Sequence, residues 1–320
     1  MVRPFKKEIN FLVHRKLFFI ISAVLVVLSI AALPIRGLNF GIEFVGGTSI
    51  DFKGTGEISI EQMRSAFDEL SLADLPVIQT TNDARTGESG FIVRITTTDA
   101  GEASAYADQV AATLGIDETT AEVMTISPSW GADVARTSLL AFLAAIVLII
   151  AYIALRFEYK MGIVAVISLI HDMLVIVGVY AVFGREVTPN VVAALLTIMG
   201  YSLYDTVVVF HRINDNMATT ANHSFMTVAN HSINQVFMRT INTTLSTLIP
   251  VVAMLIFGGE TLKDFAFAMA IGLILGSYSS IGLASPLYAL WKQREPKYRK
   301  LAAKYGEGLD EFTIAEQLRD

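Results

Sequence analysis

The chain has 320 residues, of which 53% are hydrophobic and 17% are charged. A soluble domain carries about 25% charged residues, so this composition favours a membrane protein. The absence of cysteine excludes disulfides, thiol catalysis and cysteine-ligated metal sites. The formal charge of −6 combines two unlike regions, because residues 37–135 hold 16 acidic and 4 basic residues while the rest of the chain carries +6.

Six apolar stretches are long enough to cross about 30 Å of hydrocarbon. The first follows basic residues, as a signal peptide would. It is longer than a typical signal core, however, and no small-residue cleavage motif follows it, so we interpret it as an uncleaved span. The predicted spans are residues 17–35, 136–155, 161–183, 189–211, 239–257 and 265–291.

Lysine and arginine near the span ends predict the orientation in the membrane. They cluster before the first span, between the second and third, after the fourth and after the sixth. We therefore expect both termini in the cytoplasm, a plasma (inner) membrane location and residues 37–135 on the external side. This divides the chain into the N-terminus with span 1 (1–36), an external block (37–135), spans 2–6 (136–291) and a cytoplasmic tail (292–320). The clustered residues beyond the N-terminus are Arg156, Lys160, Arg212, Lys292, Arg294, Lys297, Arg299, Lys300 and Lys304.

The acidic block is predicted to fold as a small α+β domain. Ser59 and Gln62 are placed as a capping box for its first helix, and the element order βαββαβ matches the ferredoxin-like pattern. The predicted fold class is a multi-pass α-helical membrane protein, with six transmembrane helices and this external domain between helices 1 and 2. The predicted strands are Gly47–Phe52, Val77–Thr81, Phe91–Thr97 and Ala121–Ile126; the predicted helices are Ile60–Leu70 and a second one from Asp99 to Gly115.

Ionisable residues inside the predicted spans are the candidates for function. A charged side chain at the centre of a membrane helix costs about 2.5–3.5 kcal/mol, so it usually faces the bundle interior and has a partner. Asp205 lies in span 4, on one helical face with Thr197 and Tyr201, and His171 and Asp172 interrupt span 3. Arg239 begins a polar stripe on span 5 that continues with Asn242, Thr243, Ser246 and Thr247.

Depth suggests that Asp205 and Arg239 meet in the cytoplasmic half of the membrane. Asp205 lies roughly 9 Å above the inner end of span 4 at 1.5 Å per residue, and Arg239 lies in the first turn of predicted span 5. A carboxylate beside an arginine in low dielectric is a tunable proton site, and a unit charge crossing 100 mV releases about 2.3 kcal/mol. We therefore predict an ion relay, with a purely structural ion pair as the alternative. Possible supporting residues are Tyr201, Thr206, Asn242, Thr243, His171 and Asp172, although His171 and Asp172 could simply satisfy one another.

Five segments resemble, in order, the SecF subunits of SecDF protein-export complexes, within the resistance-nodulation-division superfamily. They begin just after span 1 and continue through spans 3, 4, 5 and 6, so the resemblance covers nearly the whole chain. The segments are Gly37–Thr48, Ser168–Asp172, Gly200–Val209, Asn234–Thr243 and Gly276–Leu287.

The resemblance implies a subunit of the Sec translocase that works with SecD, the SecYEG channel and the SecA ATPase on a translocating preprotein. It implies use of the proton or sodium gradient, with Asp205 and Arg239 at the positions of the relay, and neither a catalytic residue, a cofactor nor a nucleic acid. Five residues depart from the family pattern: Glu43 stands for aspartate, Tyr204 for asparagine, His211 for aspartate, and Asn214 and Asp215 for an Arg-Glu pair.

Two other functions are compatible with parts of the sequence. A transporter of small molecules or lipids from the same superfamily would usually carry a second external domain, and this chain has one. An intramembrane aspartyl protease would use Asp172 and Asp205, but its Gly-x-Gly-Asp motif is absent at Asp172. The sequence also contains neither a phosphate-binding glycine loop nor a metal-ligand cluster, so nucleotide hydrolysis would have to come from a partner.

Overall fold

The computed structural model describes residues 8–56, 58–70, 72, 75–82, 89–117, 121–219, 223–258 and 260–306. The described chain is mostly helical, with one four-stranded sheet and one two-stranded sheet. The helices are α1 (Arg15–Arg36), α2 (Ile42–Val45), α3 (Ile60–Asp68), α4 (Ala100–Leu114), α5 (Pro128–Arg156), α6 (Tyr159–Phe183), α7 (Pro189–Thr219), α8 (Phe225–Phe257), α9 (Glu260–Ser279), α10 (Ser285–Gln293) and α11 (Pro296–Tyr305). The strands are β1 (Asn39–Phe40), β2 (Gly47–Phe52), β3 (Val77–Asn82), β4 (Ser89–Ile95), β5 (Ala121–Ile126) and β6 (Glu186–Val187).

Six helical segments of the described chain are long and apolar enough to cross a membrane. They are α1, α5, α6, α7, α8 and the continuous segment formed by α9 and α10, so all six predicted spans are confirmed by length and composition. The predicted tail after residue 291 begins as helix, since α10 runs to Gln293 and α11 follows it. The part of that tail after residue 306 lies outside the described residues.

Three of the helices begin or end well outside the predicted spans. α5 begins at Pro128 rather than near residue 136, because Ser127 caps it and proline suits the first helical position. α7 continues to Thr219, and α8 begins at Phe225. Arg239 is therefore well inside α8, and its expected position in the first turn of that helix is wrong. Hydropathy marks the part of a helix that is apolar, whereas the helix itself continues through polar residues such as Asn230 and Gln235.

The acidic block contains the six elements that the sequence predicts, in the order β2, α3, β3, β4, α4, β5. Its antiparallel sheet has the strand order β3-β4-β2-β5, and α3 and α4 pack their apolar faces against one side of it. The predicted capping box forms, since Gln62 N donates to Ser59 Oγ at 3.2 Å and Ser59 N donates to the Gln62 side chain at 2.8 Å. Asp99 caps α4, and Gly115 ends it with a left-handed backbone at φ 68°.

Two backbone contacts join the acidic block to the spans. β1, which follows α1, pairs in parallel with β6, which connects α6 to α7. Gly46 and Gly47 have φ of 80° and 128°, a region that favours glycine. A Cβ on Gly46 would lie 2.8 Å from the Cα of Pro128, at the start of α5. Glycine thus allows the chain after span 1 to pass directly against the helix that leads into span 2.

The bundle core depends on close contact between α7 and α9. A Cβ on Gly272 would lie 2.3 Å from Ile198 Cδ1, and one on Gly276 would lie 3.0 Å from Ser202 Cβ. The two glycines therefore bring the backbone of α9 onto α7, as small residues do in membrane bundles. α9 then passes through a π-helical segment, Ser280–Ala284, before it continues as α10. Such segments are often found at functional sites.

Candidate ion-relay site

Asp172 forms the centre of a closed polar cluster inside the bundle. Its side chain is fully buried. Its Oδ2 accepts hydrogen bonds from Ser202 Oγ at 2.6 Å and from Ser279 Oγ at 2.8 Å, and its Oδ1 lies 2.9 Å from His171 Nδ1. α6, α7 and α9 each contribute a residue, so the cluster ties three spans together. His171 Nδ1 therefore contacts Asp172, as the structural alternative expects, but His171 Nε2 is buried without a hydrogen-bond partner among the described residues, so the two residues do not fully satisfy one another.

A pair of hydroxyl groups lies next to this cluster, where α7 meets the π-helical segment. Thr206 Oγ1 is 2.8 Å from Ser280 Oγ, and both residues are buried. Ser285 Oγ donates to the carbonyl oxygen of Ser280 at 2.6 Å, across the wider π-helical turn. Thr206, a predicted supporting residue, therefore contacts the π-helical segment that follows α9.

Asp205 differs sharply from Asp172 in how its carboxylate is satisfied. It is 5% exposed, and its Oδ2 has no hydrogen-bond partner among the described residues. A buried carboxylate oxygen without a partner carries the cost of desolvation with no compensating bond. Within the described residues, the charge of the Asp205 carboxylate is therefore not fully compensated. A proton or a bound cation would compensate it.

Arg239 binds to the residue next to Asp205 instead of to Asp205 itself. Its Nη2 donates to Tyr204 Oη at 2.7 Å, and its guanidinium lies 5.8 Å from the centre of the Tyr204 ring. No ion pair within 4.0 Å joins the two side chains, both of which the structure describes, so the expected direct contact is wrong. Because the tyrosine side chain is long, its hydroxyl reaches the guanidinium first.

The other predicted supporting residues are dispersed. Tyr201 Oη is buried without a hydrogen-bond partner among the described residues. Thr243 donates its hydroxyl back to the α8 backbone, to the carbonyl oxygens of Arg239 and Thr240. Asn242 is exposed on the outer surface of α8, and His211 is exposed with its ring 6.1 Å from that of Phe157. None of Tyr201, Asn242 or Thr243 contacts Asp205 through a hydrogen bond between described residues.

α7 and α8 together present a polar surface to the outside of the bundle. By contrast, the exposed residues of α5 from Leu139 to Leu155 are all leucine, alanine, valine, isoleucine or tyrosine. An outward surface with a guanidinium, an amide and hydroxyls does not suit hydrocarbon. We call it the α7/α8 polar surface; its exposed residues are Thr197, Gly200, Tyr204, Arg239, Asn242 and Ser246.

A separate carboxylate pair lies where the acidic block meets the loop between α6 and α7. Glu186 is 3% exposed and forms an ion pair with Arg94 of β4. Burial raises the pKa of Glu186 to about 7, Arg94 opposes this shift, and the nearby Glu43 and Asp264 add to it. Glu43 Oε2 is buried without a hydrogen-bond partner among the described residues. These groups border a cleft of about 1220 Å³ between the open face of the sheet and the loop.

The sequence analysis included Ser202, Ser279 and Ser280 in the segments that carry the family resemblance but gave them no role, and it missed the Arg94–Glu186 pair. Serines are common in membrane helices, so the serines by themselves gave no signal. The position of Ser279 and Ser280 close to Gly276 in the sequence was a usable signal. A glycine that brings two backbones together also brings neighbouring hydroxyl groups within reach of the other helix. Arg94 and Glu186 are far apart in sequence and lie in different regions, and no local pattern joins them.

Comparison with known proteins gives matches along most of the chain. The family described as protein export membrane protein SecD/SecF, C-terminal, matches residues 106–294, and the SecD/SecF GG motif matches residues 31–54. SecF of Streptomyces coelicolor is 33% identical, with 97% of this chain and 85% of that protein covered. SecF of Rhodothermus marinus is 36% identical, with 91% and 96% covered.

The solved structure of SecDF from Thermus thermophilus is similar in fold. It superposes with a TM-score of 0.82 at 29% identity, and the alignment covers 92% of this chain. This chain spans only 40% of the length of that SecDF chain.

Proposed function

This chain belongs to the SecF family of protein translocase subunits, and from that premise we propose that it acts in protein export as the SecF partner of SecD. SecDF relatives are single chains of which this chain matches about two fifths. SecD would supply the remainder. The complex would work beside the SecYEG channel and SecA on a translocating preprotein, in the plasma membrane.

The observation that carries this proposal is the exposure of Arg239 within an apolar helix. The only hydrogen-bond partner of its guanidinium among the described residues is the Tyr204 hydroxyl, which does not neutralise its charge. A guanidinium facing lipid would cost about 2.5–3.5 kcal/mol. A second membrane protein with a carboxylate opposite Arg239 would cover the α7/α8 polar surface and compensate the charge. SecD is the partner that the family supplies.

We propose that Asp205 and Arg239 form an ion relay completed by SecD. Asp205 has an unpartnered buried oxygen, so binding and release of a proton or sodium ion would change its interactions strongly. Tyr204 would connect that change to Arg239, since it adjoins Asp205 in α7 and binds Arg239 in α8. Neither a cofactor nor a catalytic residue is needed, because the energy comes from an ion crossing the membrane potential.

We place the acidic block outside the membrane as a ferredoxin-like domain, with both termini in the cytoplasm. The charge distribution supports this orientation, because cytoplasmic segments of membrane proteins carry excess lysine and arginine. The strand order β3-β4-β2-β5 with both helices on one side is consistent with the split βαβ arrangement. The external location would put the domain where an exported chain emerges.

The test is ion flux and completion of export in proteoliposomes that contain the protein, SecD, SecYEG and SecA. Asp205→Asn and Arg239→Met should each reduce gradient-driven export and ion flux by at least about tenfold, the scale of one lost charge interaction of 1.4 kcal/mol. Asp215→Asn is the matched control, because Asp215 is an exposed acid on the same helix, and it should leave both rates unchanged. Normal flux and export in Asp205→Asn would contradict the relay, and failure of SecD to co-purify with the wild type would contradict the proposed partnership.

A further inference from the structure

The last described helix, α11, concentrates positive charge at one end of the bundle. It contains four cations and no acidic residue over Pro296–Tyr305. Lys297, Arg299, Lys300 and Lys304 are all exposed. Lys297, Lys300 and Lys304 are spaced by three and four residues, so they share one face of the helix. Nothing in the proposed ion relay uses them.

An ion-pair network fixes where α11 begins. Glu295 stands at the N-cap position of α11, and its Oε1 lies 2.7 Å from Lys160 Nζ and 3.0 Å from Lys292 Nζ. Both lysines are buried. They come from the start of α6 and from α10, so α11 is attached to two spans through one carboxylate.

Aromatic packing holds a second side of α11 in place. The Tyr298 ring lies 4.9 Å from the ring of Phe225, the first residue of α8. Leu301 and Ala302 are half-buried on the same side of the helix. α11 is therefore docked on the bundle, and its cations are displayed on a fixed support rather than on a loose tail.

Neighbouring aromatic residues indicate that α11 lies at the membrane surface. Trp291, in the last turn of α10, makes an edge contact with Tyr159 at 6.4 Å between ring centres, and Tyr159 is 65% exposed. Tryptophan and tyrosine concentrate at the level of the lipid headgroups. Because α11 begins within five residues of Trp291, its lysines are near that level.

We propose that α11 is a binding platform for anionic phospholipid headgroups. The lipids would be held by Lys297, Lys300 and Lys304, which share one exposed face of α11; the Lys297 ammonium also lies 5.4 Å from the centre of the Tyr298 ring. A basic residue beside an anionic leaflet contributes about 1 kcal/mol, or about fivefold in affinity, and the attraction decays within a Debye length. Because α11 is already folded and docked, lipid binding does not have to order it.

A second occupant is possible within the chain itself. Residues 307–320, which follow α11, contain five acidic residues and one basic residue. Their charge is also complementary to α11, but the headgroups are present at high density beside a span that ends at the same level. We therefore assign phospholipid headgroups as the ligand of α11. The experiment distinguishes them from residues 307–320.

The experiment uses the full-length chain in nanodiscs with a nitroxide on Ala303→Cys. The chain has no cysteine, so this label is unique, and Ala303 is exposed on α11. Label accessibility is measured in phosphatidylcholine discs that contain increasing fractions of phosphatidylglycerol. Lys300→Gln should weaken the dependence on phosphatidylglycerol about fivefold, and the triple glutamine variant at 297, 300 and 304 by on the order of 100-fold. Arg64→Gln, which removes an exposed cation from α3, is the matched control and should have no effect.

Four results would overturn the proposal. The first is equal accessibility in phosphatidylcholine and phosphatidylglycerol discs, and the second is an unchanged response in the triple variant. The third is a full response to inorganic phosphate in phosphatidylcholine discs, which would identify a simple phosphate site. The fourth is a response to phosphatidylglycerol that appears only after residues 307–320 are removed, which would identify that segment as the occupant.

Discussion

Asp172 and Asp205 are two buried carboxylates in the same bundle, and they differ in what surrounds them. Asp172 receives hydrogen bonds from two serines and contacts His171. Asp205 lies three residues after one of those serines, but its Oδ2 has no partner among the described residues. A buried carboxylate whose oxygens are both hydrogen-bonded gives rigidity, whereas an unsatisfied carboxylate retains free energy to gain from a proton, a cation or a partner. The first arrangement is suited to structure and the second to ion coupling.

Glu186 is an intermediate case outside the spans. It has a cationic partner in Arg94, but burial outweighs that partner and raises the pKa of Glu186 to about 7. It joins the acidic block to the loop before α7, the helix that carries Asp205. The incomplete compensation of the Glu186 charge can be measured by titration. Glu186 therefore tests whether an incompletely compensated buried carboxylate behaves differently from a satisfied one.

The largest expected effect comes from removing the satisfied carboxylate. Asp172→Ala leaves Ser202, Ser279 and His171 without their common acceptor, and we expect a loss of about 4 kcal/mol of unfolding free energy, because each orphaned buried group costs 1–3 kcal/mol. Thermal unfolding in detergent measures it. Asp205→Ala is the matched control and should change stability by less than about 1 kcal/mol. Equal losses in the two variants would remove the distinction between them.

The next effect is a pH dependence that comes from Glu186. Its folded pKa of about 7 lies above its ordinary value of 4.5. The stability that its neutral form contributes is therefore fully present below pH 4.5 and is lost as the pH rises through about 7. The loss should be on the order of 3 kcal/mol at 1.36 kcal/mol per unit. Glu186→Gln should remove this dependence, as seen in unfolding temperatures between pH 5 and 8.

The control for the pH experiment is Glu61→Gln, which removes an exposed acid from α3. It should leave the pH profile of the wild type intact. A wild-type stability that rises with pH across the same window would mean that Arg94 compensates Glu186 fully, and Glu186 would then belong with Asp172 in the comparison.

A smaller loss of stability should follow from adding a methyl group where α9 contacts α7, beside the Asp172 cluster. Gly276→Ala adds a methyl group 3.0 Å from Ser202 Cβ, and overpacking of this kind costs about 1–3 kcal/mol. Gly200→Ala is the control, since a Cβ there meets nothing within 4 Å, and alanine favours a helix over glycine by about 1 kcal/mol. Unfolding in detergent should therefore separate the two variants in opposite directions; a neutral Gly276→Ala would show that α7 and α9 can move apart freely.

The smallest expected effect concerns the hydroxyl between the relay residues. Tyr204→Phe removes one hydrogen bond to Arg239, so we expect about a fivefold fall in gradient-driven export, equivalent to about 1 kcal/mol. Tyr201→Phe removes a buried hydroxyl that has no partner among the described residues and should leave export unchanged. If both variants behaved alike, Tyr204 would not connect Asp205 to Arg239.

Much of the acidic block could be predicted from local sequence. β2 and β5 have the predicted bounds, and the capping residues Ser59, Asp99 and Gly115 stand where α3 begins and where α4 begins and ends. These features depend on neighbours within a few residues. The C-terminal end of α7 and the N-terminal end of α8 could not be predicted from hydropathy, because the helix continues past the apolar part of the sequence.

The sequence by itself determined the six spans, the elements of the acidic block and which ionisable residues enter the membrane, because length, periodicity and charge are local properties. Only the tertiary structure decided which of those residues are satisfied. Asp172 is closed off by serines from α7 and α9, and Arg239 reaches Tyr204 before Asp205. Those outcomes depend on how closely glycine lets two helices approach and on how far a side chain reaches, and both are set by packing between segments distant in sequence.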